Sequence, residues 1–200
     1  MENQFEIQNK YYIYFKFLNT LFFGISVGSY VTQYVPLKIE DFPIAGIIFS
    51  LLAIPIALLY KKIMKINYFY KVSLLVECLM LFWIIMFLID PWSTHKSLQN
   101  SYEIALIIYI TRHITFLFGD FLGRAETIFI KKTDTLSSID VAKQIGAISG
   151  MIVSVFFYKI LQTKYNITEN ASQVYHIHFI LLFIQIAIII LLIKSFKKIK

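Results

Sequence analysis

Long apolar stretches, separated by short polar segments, run through almost the whole chain. A helix needs about 20 predominantly apolar residues to cross the hydrocarbon core of a bilayer. Six stretches approach or exceed that length, at about 11–34, 43–60, 70–89, 102–128, 138–161 and 175–193. The pattern predicts an all-α integral membrane protein with six transmembrane helices, numbered below as spans one to six.

The composition strengthens this interpretation. Of the 200 residues, 58% are hydrophobic and only 16% are charged, whereas about 25% of the residues in soluble domains are charged. The mean hydropathy is +0.68. Six spans use most of the chain, so little is left for a soluble domain, and the lipid bilayer is the expected surrounding.

The distribution of basic residues predicts the orientation. The net charge is +7, and the lysines and arginines lie in short clusters between the apolar stretches. Cytoplasmic loops of membrane proteins are enriched in these residues, and thirteen lie on the side of both termini against four on the other. Both termini are therefore predicted to be cytoplasmic. Because the basic residues mark loops between spans, no nucleic-acid partner is expected. The Ile-, Lys- and Phe-rich composition indicates a bacterial inner membrane.

Glycines spaced four apart predict where helices pack closely. Such a pair lies on one face of a helix and allows a second backbone to approach. The pairs are Gly24 with Gly28, Gly119 with Gly123, and Gly146 with Gly150. We therefore expect spans one, two, four and five, which hold all seven glycines, to form a tightly packed centre. Spans three and six are expected nearer the lipid.

An internal repeat divides the chain into two parts. Residues 20–28 and 115–123 share the pattern Thr-x-x-Phe-Gly-x-x-x-Gly. Spans one to three (residues 1–97) are therefore interpreted as a distant copy of spans four to six (residues 98–200). Because three is an odd number, the copies lie in opposite senses across the membrane, which is the 3+3 inverted repeat typical of transporters.

With this layout, the chain resembles one half of a major facilitator superfamily transporter, whose halves each contain six helices. The loop between spans two and three carries Lys62 and Lys65 where that family has basic residues, although Lys61 stands in place of its aspartate. Arg112 fits the arginine frequent in the fourth helix. The resemblance implies transport by alternating access. It also implies a homodimer or a pairing with another six-helix chain, because the family needs two halves to enclose a path.

Ionisable and polar groups within spans are the candidate site residues, since each is costly in a membrane and usually faces a cavity or a partner. At 100° per residue, Arg112 and Asp120 are about 80° apart around span four, and His113 lies between them in sequence. This face could bind an anionic group or relay a proton. Asn19 in span one and Glu77 in span three are further candidates. The alternative is that Arg112 pairs with Glu77 or Asp120 and only holds helices together.

Membrane enzymes and binding subunits are two other classes of function. The motifs of membrane enzymes are missing, and a single cysteine, Cys78, cannot form a disulfide within the chain. No enzymatic activity, cofactor or metal ion is expected. The alternative to transport of a small solute is a non-enzymatic binding or assembly subunit that docks with a partner complex.

Overall fold

The computed structural model describes residues 5–89 and 102–199. Two short strands, β1 (Phe5–Ile7) and β2 (Phe196–Lys198), lie at the ends of a helical chain. The helices are α1 (Asn9–Tyr34), α2 (Asp41–Leu58), α3 (Tyr60–Ile63), α4 (Ile66–Ile89), α5 (Tyr102–Phe116), α6 (Gly119–Phe129), α7 (Thr133–Tyr165) and α8 (Asn170–Ser195).

Five segments of the described chain are long and apolar enough to cross a membrane. They are 41–58, 66–89, 105–129, 133–165 and 170–195. The 26-residue helix α1, which corresponds to span one, is not among the five. The fold is therefore all-helical and compatible with a multi-pass membrane protein, whereas the sixth crossing stays a prediction.

Polar residues are buried inside the bundle while large apolar residues cover its outside. Helix α2 illustrates the exterior, because Ala45 is its only buried residue and Ile47, Leu51 and Ile54 are exposed. The interior holds several polar side chains that are at least nine-tenths buried, namely Ser26, Ser29, Glu77, Arg112 and Gln185. An apolar exterior of this kind suits a lipid environment, where no hydrophobic force drives apolar groups inward.

Helix α1 lies at the centre, packed along α7 and α8, and α4 packs on α8. The glycines explain how closely α1 approaches α7. A Cβ atom at Gly150 would collide with the carbonyl oxygen of Leu21 and lie 3.0 Å from the Cα of Gly24. A Cβ atom at Gly146 would collide with the carbonyl oxygen of Phe17. Here the two backbones are in contact, as two of the three glycine pairs predict.

The expected places of two helices are reversed. Helix α8, which corresponds to span six, has nine buried residues and lies against α1 and α4, whereas α2, which corresponds to span two, is peripheral. Cβ atoms built at Gly46, Gly119 and Gly123 would meet no atom within 4 Å. These three glycines do not mediate helix packing within the described part of the chain, so the glycine content alone misplaced α2 and α8.

Span four is also not one continuous helix. Helix α5 ends at Phe116, two residues follow in a turn, and α6 begins at Gly119. Glycine is a poor helix former, and Asp120 stands in the first turn of α6, where a helix favours an acidic side chain. The angle of about 80° between Arg112 and Asp120 assumed one continuous helix at 100° per residue, so it does not apply across the turn between α5 and α6.

The two ends of the described chain meet at one end of the bundle. Strands β1 and β2 are antiparallel, with Glu6 opposite Lys197. The aromatic ring of Phe196 lies against Phe69 and Tyr70 of α4, with centroid separations of 5.5 and 5.0 Å. The two ends of the described chain thus lie at the same end of the bundle, whereas the cytoplasmic location of the termini and the inverted repeat stay predictions.

Candidate functional site

A cavity of about 180 Å³ lies among α1, α4, α5, α6 and α8. Much of its wall is aromatic, including Phe15, Phe22 and Tyr30. Its polar lining consists of Lys16, Asn19, Ser73, Glu77, Thr115 and Gln185. This volume is large enough for several water molecules, since a water occupies about 30 Å³ in the liquid. The cavity therefore has room for a small ligand together with polar groups to hold it.

Glu77 is the central acidic group of the cavity. It is the twelfth of the 24 residues of α4, and 7% of its surface is exposed. The side-chain amide of Asn19 donates a hydrogen bond to Oε1 of Glu77 at 2.8 Å, and that of Gln185 donates to Oε2 at 2.8 Å. Two residues predicted separately from the sequence, Asn19 and Glu77, are thus in direct contact, and three helices meet at this carboxylate.

Gln185 completes this group and was not predicted from the sequence. Its Nε2 also donates to the backbone oxygen of Glu77, at 2.9 Å. Only 1% of Gln185 is exposed, and its Oε1 has no hydrogen-bond partner among the described residues. The signal that could have found it is simple: an amide in the middle of an otherwise apolar span, where a polar group needs a partner.

Arg112 does not line the cavity but contacts a residue that does. Its guanidinium carbon is 3.1 Å from the centroid of the Tyr30 ring, and Tyr30 lines the cavity. Only 8% of the residue is exposed, and its Nη1 is buried without a hydrogen-bond partner in the described chain. The described residues show no ion pair of Arg112 with Glu77 or with Asp120, so a cation–π contact replaces the pairing that the sequence suggested.

The other two candidates of span four lie apart from the cavity. The Nδ1–H group of His113 donates a hydrogen bond of 2.9 Å to the backbone oxygen of Tyr109, and the ring stacks on Phe49 at 5.1 Å. Asp120 is exposed at the start of α6. Neither residue lines the cavity. The structure therefore does not bring Arg112, His113 and Asp120 onto one polar face.

A second buried carboxylate, Glu126 of α6, is fully partnered. Lys16 Nζ lies 2.5 Å from its Oε2, and Lys143 Nζ lies 2.5 Å from its Oε1. The hydroxyl of Tyr12 donates to Oε2 at 2.7 Å. This cluster ties α1, α6 and α7 together. The sequence prediction missed it because Glu126 and Lys16 lie near the ends of their predicted spans, where long charged side chains usually reach the interface.

In residues 5–89 and 102–199, no group of three or more His, Cys, Asp or Glu side chains is arranged so that it could hold a metal ion. The expectation that the protein uses no metal ion or cofactor stays a prediction.

Comparison with known proteins gives no family. No protein-family model matches the chain, and no curated protein or solved structure matches it. The resemblance to half of a major facilitator transporter therefore depends on the layout and the short motifs of the sequence alone.

Proposed function

We propose that the protein transports a small polar solute across a bacterial inner membrane by alternating access around the cavity. In this proposal the chain crosses the membrane six times, with α1 as the first crossing and both termini in the cytoplasm. It is not an enzyme. The observation that carries the proposal is Glu77, a buried carboxylate that faces a cavity in the middle of the bundle and has no ion-pair partner in the described chain.

The cost of burying Glu77 supports a functional role. A charged side chain at the centre of a membrane helix costs about 2.5–3.5 kcal/mol on insertion scales, and such residues usually mark a substrate or ion pathway. The chain can neutralise such a charge where only structure is needed, because Glu126 is held by two lysines. Glu77 instead receives hydrogen bonds from neutral amides and faces open volume.

Arg112 supplies a second charge for the proposed site. Its guanidinium lies on the ring of Tyr30, which lines the cavity, and in this proposal a change in the Tyr30 rotamer exposes it to an anionic group of the solute. We therefore assign solute binding to Arg112, Glu77 and Asn19, with Gln185 added. His113 and Asp120 are left out of the proposed site because neither lines the cavity.

The exterior supports the proposal that two chains act together. Helix α2 buries one residue, and a Cβ atom added at Gly119 or Gly123 would meet no atom within 4 Å in the described chain. Small residues four apart are typical of helix interfaces in membranes. A second copy, or a related six-helix chain, packed on these surfaces would supply the missing half of a major facilitator-like transporter.

Native mass measurement in mild detergent tests this pairing. We expect a dimer with twice the 23.4 kDa mass of one chain. The Gly123→Leu variant serves as the matched test of the interface. A Cβ atom at this position would meet no atom within 4 Å in the described chain, so we expect the variant to fold and to weaken the dimer. A stable, partnerless monomer of the unmodified protein would count against the transporter proposal.

The alternative is a non-enzymatic binding or assembly subunit. The exposed helix α2 and the glycines Gly119 and Gly123 support this alternative too, because a different membrane protein would pack on them as well as a second copy would. Co-purification with a pair of ATPase subunits would favour this alternative over transport by a dimer.

A further inference from the structure

We propose that Glu77 and Gln185 form a binding site for a small monovalent cation. Its role as the coupling ion of transport rests on the proposed function, whereas the binding of the cation does not.

The charge of the site is the first argument. Glu77 is 7% exposed and accepts hydrogen bonds only from the neutral amides of Asn19 and Gln185 in the described chain. A buried carboxylate without a cation costs several kcal/mol, which a bound cation would offset. The two cations nearby are already engaged: Lys16 is bound to Glu126 at 2.5 Å, and Arg112 lies on the ring of Tyr30. Glu77 therefore has no cation in direct contact among the described residues.

The ligand atoms are the second, independent argument. Gln185 is 1% exposed and lines the cavity, and its Oε1 has no hydrogen-bond partner in residues 5–89 and 102–199. A buried carbonyl-type oxygen without a donor costs about 1–3 kcal/mol. A cation bound between this oxygen and the Glu77 carboxylate would satisfy both groups. Ser73, which lies one helical turn before Glu77 and lines the same cavity, offers a hydroxyl oxygen.

The donor set selects the class of cation. Carboxylate, amide and hydroxyl oxygens are the ligands of hard cations, and divalent ions usually gather several carboxylates. Glu77 is the only carboxylate lining the described cavity. The positive charges of Lys16 and Arg112 nearby further disfavour a divalent ion. A single positive charge fits, supplied by an inorganic ion such as Na⁺ or K⁺ or by the ammonium group of a solute.

The experiment measures the melting temperature of the purified protein in detergent at pH 8 and constant ionic strength. Choline chloride is replaced in turn by NaCl, KCl and methylammonium chloride. We expect one of the three cations to raise the melting temperature along a single-site saturation curve, because a ligand that binds only the folded state stabilises it. A response to Na⁺ or K⁺ identifies an inorganic ion, and a response to methylammonium identifies an ammonium-bearing solute.

Two variants and one control connect the response to the site. Glu77→Gln should abolish the rise. Gln185→Met keeps the carboxylate of Glu77 and removes Oε1 together with the two hydrogen bonds that Nε2 donates to Glu77; it should increase the half-saturating concentration at least tenfold. Asp134→Asn, which removes an exposed carboxylate of α7, should respond as the unmodified protein does.

Three results overturn the proposal: no cation raises the melting temperature above that in choline, or Glu77→Gln responds like the unmodified protein, or Gln185→Met keeps the original half-saturating concentration. If Glu77→Gln does not fold, the half-saturating concentration of Gln185→Met decides between the outcomes. A cation response in a protein that shows no access to the cavity from both sides of the membrane would leave the site standing and refute transport.

Discussion

Glu126→Leu is expected to lower the free energy of unfolding by about 3–5 kcal/mol, the cost typical of breaking a buried ion pair by removing one partner. The substitution leaves Lys16 and Lys143 without the carboxylate that both now contact at 2.5 Å, and it removes the acceptor of the Tyr12 hydroxyl. Because Glu126 joins α6 to α1 and α7, α6 should be the first helix to separate. Thermal or denaturant unfolding in detergent measures the loss.

Asp140→Asn is the control for this experiment. Asp140 also contacts Lys143, at 3.4 Å, but 73% of its side chain is exposed. Exposed ion pairs contribute about 0–1 kcal/mol, so we expect little change in stability. Equal stability of Glu126→Leu and Asp140→Asn would show that the cluster does not hold the bundle together.

Gly150→Leu is expected to lower the free energy of unfolding by more than about 3 kcal/mol, or to prevent folding. This exceeds the about 1–3 kcal/mol that is typical of overpacking a core. The reason is that the new side chain meets backbone, which cannot rotate away. Its Cβ would collide with the carbonyl oxygen of Leu21 and lie 3.0 Å from the Cα of Gly24. Helices α1 and α7 would have to separate, although leucine favours a helix more than glycine does.

Gly46→Leu is the matched control, since a Cβ at this position in α2 meets no atom within 4 Å in the part of the chain that the structure describes. The melting temperature and the monodisperse yield of the two variants in detergent make the comparison. If Gly150→Leu is as stable as Gly46→Leu, the close crossing of α1 and α7 is refuted.

The sequence predicted the close crossing of α1 and α7, but it did not predict which helices are the most buried. Glycine spacing found Gly24, Gly146 and Gly150 because only glycine permits such close contact of two backbones. It could not find α8, whose buried face includes Ile177, Leu181 and other aliphatic residues. In a membrane helix such residues suit lipid and protein equally well, so their pattern does not report which helix is central.

The site was predictable residue by residue but not as an arrangement. Asn19 and Glu77 stood out as polar groups within spans, and they are hydrogen-bonded to each other at 2.8 Å. The grouping of Arg112 with Asp120 assumed one continuous helix, and the turn after Phe116 removes that assumption. Where a span is interrupted, angular spacing along the sequence stops predicting which side chains share a face.

Access to the cavity from each side of the membrane tests the central claim most directly, without knowledge of the solute. Ser73→Cys places a thiol in the cavity wall, in a Cys78→Ser background that removes the exposed native thiol. Ser26→Cys, at a position that is fully buried and does not line the cavity, is the matched control. Both are treated with a membrane-impermeant maleimide in right-side-out and in inside-out vesicles.

Alternating access predicts that the thiol at position 73 is labelled in both kinds of vesicle, while the thiol at position 26 is labelled in neither. Labelling of position 73 from one side only, or from neither side, would contradict the account.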